Sequence, residues 1–222
     1  MAELLAEIQA IPPVTRTYLF AALATTTLCT LEVISPYSLY LSWSAVFRHG
    51  QVWRIVTCFL FFGARFSIDF LFHLFFLVRY VGSLESGSYR SKPASFAWMI
   101  MFGAGCMLLL GPLLKLTFLG SSLTFMMVYI WARRNRHAQM NFLGVLNFRA
   151  PYLPWVLLTF SMMLGGTGTV DFLGIAIGHM YYFLEDVFPT MTRPSKRLLK
   201  TPRFLRVMMH EDLPSIQHNH AE

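Results

Sequence analysis

Apolar residues fill long stretches of the chain, and short polar segments separate these stretches. Six of the stretches carry almost no charge, and each is long enough for several helical turns. They predict six helices, at about residues 18–31, 68–81, 94–114, 116–131, 152–164 and 170–184. Several are shorter than the ~20 residues that cross ~30 Å of hydrocarbon, so flanking polar residues or a thinner bilayer would have to complete the crossing.

The composition is that of a membrane protein. Of 222 residues, 55% are hydrophobic and 13% are charged, which is about half the charged fraction of an ordinary soluble domain. This balance excludes an intrinsically disordered chain, a disulfide scaffold and a soluble enzyme. The three cysteines are predicted to be small buried hydrophobic residues and not a redox or metal set. The predicted fold class is an all-α membrane protein with six transmembrane helices.

The positions of the basic residues predict the orientation. The formal net charge is +7. If the chain crosses six times, 14 of the 18 Lys and Arg residues lie on the face that carries both termini. Positively charged loops stay in the cytosol, so both termini are predicted to be cytosolic. This bias also accounts for the basic composition, and nucleic acid is not expected as a partner.

Four segments are predicted. Residues 1–17 form a cytosolic amphipathic N-terminus, in which a short surface helix ends at Pro12 and Pro13. Residues 18–189 form the membrane domain. Within it, residues 32–66 are too aromatic for a solvated loop and are predicted to fold at the far interface. Residues 190–222, with three prolines and a basic first half, are predicted to be a flexible cytosolic tail.

Two short motifs resemble the rhomboid core, namely Trp53-Arg54 in the first loop and the Gly174 to Gly178 run in the sixth stretch. Five longer runs resemble a particular branch of that superfamily, the Derlins, which are rhomboid pseudoproteases of the endoplasmic reticulum. These runs are IPPVTR at 11–16, RRN at 133–135, MNFLG at 140–144, LNFRAP at 146–151 and GHMYYFLEDVFP at 178–189. The similarity covers about residues 8 to 205.

The resemblance implies a rhomboid-like bundle in the endoplasmic-reticulum membrane. It implies a role in endoplasmic-reticulum-associated degradation, in which misfolded lumenal or membrane proteins are retrotranslocated to the cytosol. The implied partners are client polypeptides, a membrane ubiquitin ligase complex, a cytosolic AAA ATPase and further subunits of the same or a related kind. Many Derlins recruit the ATPase through a Phe- and Gly-rich C-terminal box. This tail has no glycine after Gly178, which argues against direct recruitment by that route.

The resemblance also implies structural roles for the two short motifs. Trp53 and Arg54 would hold the first loop against the core, although they could also be a generic interfacial anchor. Gly174 and Gly178 lie four residues apart on one helical face, where another helix can approach closely. The partner of that face is predicted to be the fourth helix of the same chain, with a dimer contact as the alternative.

Catalysis is not expected. Rhomboid proteases use a serine in the fourth span and a histidine three residues before the first glycine of span six, because a serine hydroxyl needs a base to become nucleophilic. Here that position is Asp171, and the nearest match in span four is Gly120-Ser121-Ser122-Leu123. His73 stands where the family usually has the oxyanion-stabilising Asn. No Ser–His dyad is therefore predicted, and no cofactor is expected.

Three ionisable residues in apolar stretches are candidates for function, because charge within a bilayer is costly. Asp69 and His73 are four residues apart and share a helix face, and Asp171 could join them in a polar cavity. The alternative is that they form a satisfied buried pair or lie at the interface. The tail histidines are too scattered for a metal site. Two other functions stay open at this point, an active intramembrane serine protease and a small-solute transporter.

Overall fold

The computed structural model describes residues 8–63, 66–142, 146–191, 198–209 and 211. Each of the six apolar stretches contains a helix, as predicted, but the helix of the third stretch ends at Leu110 and that of the fourth begins at Gly120, so residues 111–119 are not helical. The α-helices are α1 (Pro13–Thr30), α2 (Trp43–His49), α3 (Arg54–Leu60), α4 (Ile68–Phe76), α5 (Gly82–Ser86), α6 (Pro93–Leu110), α7 (Gly120–Arg134), α8 (Leu153–Met163), α9 (Thr169–Tyr182), α10 (Phe188–Met191) and α11 (Arg203–Met208). π-helical turns at Leu77–Val81 and Phe183–Val187 join α4 to α5 and α9 to α10.

Helix α7 forms the centre of the bundle. From Ser122 to Ala132 every residue of this helix is buried, and the helix packs most extensively against α9, with α4, α6 and α8 around it. A helix that is apolar on all sides has to be enclosed by others. The core of the molecule therefore follows the length of α7, and the ends of α7 mark the two ends of the bundle.

The outer surface of the bundle is apolar as well. Leu71, Phe75, Leu109, Met162 and Phe172 are each more than half exposed, which is unfavourable in water and favourable in lipid. By length and mean hydropathy, Pro93–Leu110 is the one helix among the described residues that would span a membrane unaided, and the apolar helix at Ala150–Met163 is shorter. Six crossings therefore remain a prediction.

The first loop is folded, as its aromatic composition indicates. A 3-10 turn at Pro36–Ser38 leads into α2 and α3. The loop is attached to the rest of the bundle through main-chain hydrogen bonds from Leu41 N to Thr117 O, 2.9 Å, and from Leu119 N to Cys58 O, 2.8 Å. The loop therefore lies against the start of α7.

Helix α1 begins earlier than predicted. It starts at Pro13, which occupies the first turn, where the fixed φ of proline suits a helix and its missing N–H leaves no hydrogen bond unmade. Residues 8–10 are also helical, and the rest of the predicted surface helix lies outside the described residues. The boundary at residue 17 therefore does not coincide with a structural break.

Two further features differ from the prediction. Strands β1 (Gln139–Phe142) and β2 (Leu146–Arg149) form an antiparallel hairpin that the apolar pattern does not show. The described part of the tail is also not extended, because α11 buries Leu205 and the Glu211 carboxylate accepts a hydrogen bond from Ala94 N, 2.8 Å. The remaining tail lies outside the described residues.

Candidate functional site: a buried polar cluster at one end of the bundle

Four polar side chains from four helices meet where α4, α7 and α9 begin and α8 ends. The hydroxyl of Ser121 donates to one carboxylate oxygen of Asp171, and the hydroxyl of Ser161 donates to the other, at 2.6 Å. The Nε2 atom of His73 lies 2.8 Å from the Ser121 Oγ. His73 is 5% exposed and Asp171 is 3% exposed. We call His73, Ser121, Ser161 and Asp171 the polar cluster.

Asp69 fixes the orientation of the His73 ring. Its backbone carbonyl lies 2.9 Å from the His73 Nδ1, and its carboxylate Oδ1 lies 3.6 Å from the same nitrogen. Ser67 caps the start of α4 by accepting a hydrogen bond from Phe70 N, 3.1 Å. The cap fixes the first turn of this helix, from which Asp69 faces the ring.

Ser121 connects the two ionisable residues of the polar cluster. Its hydroxyl donates to the Asp171 carboxylate, and its oxygen also lies within hydrogen-bond distance of the His73 Nε2. The carbonyl of Asp69 can only accept, so the His73 Nδ1 is the donor in that contact. His73 and Asp171 are therefore linked through one serine, and Ser161 supplies a second donor to the same carboxylate.

The polar cluster lines a cavity of about 180 Å³. A water molecule occupies about 30 Å³ of liquid, so the cavity has room for a few molecules of water or for a short length of polypeptide. Phe61, Phe62 and Phe118 form its apolar wall, and Asp69 and Thr167 contribute further polar groups. The wall comes from the first loop and from the segment before α7, so this loop closes one side of the cavity.

Arg54 holds the first loop together from within. Its Nη1 donates to the carbonyls of Tyr37, 2.9 Å, and Tyr40, 3.0 Å. Its Nε donates to the side-chain oxygen of Gln51, 2.6 Å. The guanidinium is buried, and Trp53 beside it is half exposed and donates to Ser38 O at 3.4 Å. The arginine therefore ties three parts of the loop to each other, and does not tie the loop directly to the core.

Gly174 and Gly178 face α7 of the same chain. A Cβ atom at Gly174 would overlap the carbonyl oxygen of Ser122 and lie 2.9 Å from the Phe125 Cβ. A Cβ at Gly178 would lie 3.0 Å from Met126 O. The two glycines allow α9 to approach α7 closely, as in small-residue packing within membranes. This contact supports internal packing over the alternative of a dimer face.

The other end of the bundle is held by different contacts. The Arg134 guanidinium pairs with the Asp186 carboxylate at 3.1 Å and lies 4.7 Å above the Tyr89 ring. The His179 Nδ1 lies 2.7 Å from the Tyr129 hydroxyl, which also accepts a hydrogen bond from the Arg133 Nε. His179 therefore takes part in a contact far from Ser121.

The contact between Ser121 and His73 was not predicted from the sequence. The prediction of no Ser–His dyad is wrong as geometry, because the histidine was sought only in span six, where the resemblance to rhomboid proteases places it. The base-like residue comes from α4 instead, and the position in span six carries Asp171. Ser161 was not singled out, and the sequence contains no signal that separates it from other helical serines.

The helices pack against each other through apolar side chains, and the outer surface of the bundle is apolar as well. A polar cluster is enclosed at one end. This combination is that of a helical membrane protein. The model of the Der1-like family matches residues 11–203. The chain is 48% identical over 212 residues to Derlin-2.2 of Zea mays, covering 90% of this chain and 84% of the relative. It is 48% identical to Derlin-2.1 of Arabidopsis thaliana, with 90% and 86% covered, and 38% identical over 206 residues to the probable derlin-2 homolog of Dictyostelium discoideum, with 90% and 80% covered. The chain belongs to the Der1-like family, and its resemblance to the Derlins is confirmed.

Proposed function

We propose that this chain is a non-catalytic component of endoplasmic-reticulum-associated degradation that helps misfolded polypeptides cross the membrane towards the cytosol. The single observation that carries the proposal is the polar cavity formed by His73, Ser121, Ser161 and Asp171 at one end of an otherwise apolar bundle. In the proposed arrangement six helices span the endoplasmic-reticulum membrane, both termini lie in the cytosol and the cavity lies near the lumenal face.

A polar cavity lowers the cost of moving an extended chain into a bilayer. Each backbone N–H or C=O that enters hydrocarbon without a partner costs several kcal/mol. The carboxylate and hydroxyl groups of the cavity, together with the water that it has room for, can bond such groups at its end of the bundle. The path through the apolar remainder of the membrane has to be shortened in another way.

The short helices support local thinning of the bilayer. Helix α8 has 11 residues, which is about 17 Å at the α-helical rise, whereas the hydrocarbon core is ~30 Å thick. A helix this short is accommodated by a thinner bilayer or by polar flanking residues. Thinning beside α8, which contributes Ser161 to the cavity, would shorten the path that a client has to cross.

The proposed function includes no bond cleavage. The Ser121 hydroxyl donates to the Asp171 carboxylate, which competes with His73 for the serine proton. A carboxylate in contact with the serine also opposes the negative charge that a tetrahedral intermediate would develop there. The force for transport would come from partners of the kinds that the resemblance implies, a membrane ubiquitin ligase complex and a cytosolic ATPase.

A second candidate function, an intramembrane serine hydrolase, is favoured by one observation. The 2.8 Å contact between His73 and Ser121 has the length of a nucleophile–base hydrogen bond. With its Nδ1 donating to the Asp69 carbonyl, a neutral His73 ring would present its Nε2 to the serine as an acceptor. Cleavage assays decide between this candidate and the non-catalytic one.

The test compares transport with cleavage. The double variant Ser121→Ala/Ser161→Ala removes the two serine hydroxyls that bond to Asp171, and Thr159→Ala removes a hydroxyl on the exposed side of α8 whose hydrogen bond, within the described part of the chain, goes to Trp155 O of the same helix. We expect the double variant to slow the turnover of a misfolded lumenal reporter several-fold at equal protein abundance, and Thr159→Ala to leave it unchanged. Equal turnover in all three proteins would contradict the proposal.

The cleavage assay uses the protein reconstituted in liposomes with rhomboid substrates. We expect no product from the wild-type chain. If the wild-type chain gave a product and the single variant Ser121→Ala did not, the serine hydrolase would replace the proposed function.

A further inference from the structure

A second cavity, of about 420 Å³, lies at the opposite end of the bundle from the polar cluster. It opens where α7 ends and α8 begins, beside the β-hairpin that connects them. Arg133, Arg136 and Arg149 line it, together with the aromatic side chains of Tyr152 and Trp155. We call this cavity the arginine pocket. It plays no part in the function proposed above.

The arginine pocket is positively charged, and among the described residues no carboxylate lines it. No Asp or Glu occurs in the sequence between Glu85 and Asp171. Among the described residues, Arg134 is the arginine that pairs with a carboxylate, and it does not line the pocket. The three arginines of the pocket therefore favour an anion, and a guanidinium has the planar geometry that binds phosphate with two parallel hydrogen bonds.

One of the three arginines is already held in position. The Nε of Arg133 donates to the Tyr129 hydroxyl, 2.8 Å, and its guanidinium lies 5.3 Å from the centre of the Tyr129 ring. This contact uses one donor and leaves the terminal nitrogens for another acceptor. An arginine that is fixed before a ligand arrives loses less conformational entropy on binding.

The aromatic side chains place the pocket at the level of lipid headgroups. Tyr152 is 62% exposed and Trp155 is 47% exposed, and both lie at the start of α8, whose remaining turns are apolar. Exposed Trp and Tyr at the end of an apolar helix are typical of the membrane interface. A ligand in the pocket can therefore keep its acyl chains in the bilayer while its headgroup contacts the arginines.

We propose that the arginine pocket binds the phosphate of an anionic glycerophospholipid from the leaflet at that end of the bundle. Basic pockets beside membrane helices hold anionic headgroups by this combination of charge and depth. The site requires only that the chain lies in a membrane, and it does not depend on the function of the polar cluster.

Binding is tested on the full chain in neutral detergent. The protein is titrated with phosphatidylinositol that carries a fluorescent acyl chain, and with phosphatidylcholine that carries the same chains. The variant Arg136→Gln/Arg149→Gln removes two charges from the pocket. Arg79→Gln/Arg90→Gln removes two charges from exposed positions outside it, and serves as the matched control.

We expect phosphatidylinositol to bind at least tenfold more tightly than phosphatidylcholine. Each arginine near an anionic lipid surface increases the affinity about fivefold. The pocket variant lacks two arginines, so it should bind phosphatidylinositol roughly 30-fold more weakly. The control should change affinity less than twofold. Equal weakening in both variants would show general charge attraction and overturn the site, and so would equal affinity for the two lipids. Full displacement of the lipid by inorganic phosphate at the same concentration would show a site for soluble anions and would also overturn the proposal.

Discussion

The carboxylate of Glu85 caps the start of α1 through Thr15. One carboxylate oxygen accepts from the Thr15 backbone N–H, 2.8 Å, and from its hydroxyl, 2.7 Å, and the other accepts from Val14 N, 2.9 Å. The two residues are 70 positions apart, and both are buried. A negative charge at the N-terminus of a helix satisfies its unpaired N–H groups and interacts favourably with the helix dipole. The contact therefore holds the start of α1 against α5, the short helix that continues from α4.

The first prediction removes this cap. Glu85→Ala leaves two main-chain N–H groups and a hydroxyl without their buried acceptor, and each such group costs ~1–3 kcal/mol. We expect a clear fall in the thermal unfolding temperature in detergent. Thr15→Val should show part of that loss and Thr15→Ser almost none, because serine keeps the hydroxyl. A Thr15→Val protein as stable as Thr15→Ser would contradict the assigned role of the hydroxyl.

The second prediction concerns the coupling of His73 and Asp171 through Ser121. Asp171→Asn replaces one of the two carboxylate oxygens that accept from Ser121 and Ser161 with a donor, and leaving a buried donor without its acceptor costs ~1–3 kcal/mol. In the double variant His73→Gln/Asp171→Asn both ionisable groups are gone, so we expect it to be ~1–3 kcal/mol more stable than the sum of the single effects. The measurement is the free energy of unfolding of the wild type and the three variants in the same detergent.

Asp69→Asn is the control for this double-mutant cycle, since the Asp69 carboxylate is 36% exposed and lies 3.6 Å from the ring. A partly exposed ion pair contributes ~0–1 kcal/mol, so this variant should stay near the wild-type stability. Strictly additive effects of His73→Gln and Asp171→Asn would show that the two residues are not coupled through Ser121.

The helices could be predicted from the sequence because lipid requires long apolar stretches, and these are visible without knowing any contact. The apolar pattern does not contain the register of one helix against another. Ser121 contacts His73 because α4 and α7 begin at the same end of the bundle and these two residues lie on the helix faces that are turned towards each other. The hairpin at 139–149 was not predicted for a different reason, since each strand has only four residues, too few for the alternation of polar and apolar positions to stand out.

The Glu85 cap and the Arg54 contacts show the same limit. Glu85 lies in a polar segment after an apolar stretch, where a solvated acid would also be expected. Nothing in its neighbourhood indicates a helix start 70 residues earlier. Arg54 was recognised through a motif, but its acceptors are backbone carbonyls, which every residue has, so the sequence could not identify them.

The third prediction tests the orientation in the membrane. Ser88 and Ser44 are both exposed. Ser88 follows the helix end that carries Glu85, and Ser44 lies in the first loop. In a Cys106→Ala background, a membrane-impermeant maleimide should label Ser88→Cys in intact microsomes, and Ser44→Cys only after the lumen is opened. Cys29 and Cys58 are buried and should give little background. The reverse labelling pattern would contradict the orientation predicted from the basic residues.

The fourth prediction concerns Arg54. A lysine ammonium cannot reach the carbonyls of Tyr37 and Tyr40 and the side chain of Gln51 at the same time, because it lacks the planar fork of donors. Hydrogen bonds to a charged group contribute ~1.5–3 kcal/mol each, so we expect Arg54→Lys to increase amide hydrogen exchange in residues 36–41 by about tenfold or more. Arg48→Lys, at an exposed position on α2, is the matched control. Unchanged exchange in Arg54→Lys would mean that the loop is held by its other contacts.

The last prediction orders three glycines by the space around them. A Cβ at Gly174 overlaps the Ser122 carbonyl oxygen, one at Gly178 lies 3.0 Å from Met126 O, and one at Gly105 on α6 meets nothing within 4 Å. Backbone atoms cannot move aside as a flexible side chain can, so Gly174→Ala should cost at least the ~1–3 kcal/mol typical of overpacking, and Gly178→Ala less. Gly105→Ala should be neutral or stabilising by up to ~1 kcal/mol, since alanine favours a helix over glycine. Thermal unfolding of the three purified variants gives the order directly. If Gly174→Ala were as stable as Gly105→Ala, α9 would not pack against α7 through this face, and the dimer alternative would regain support.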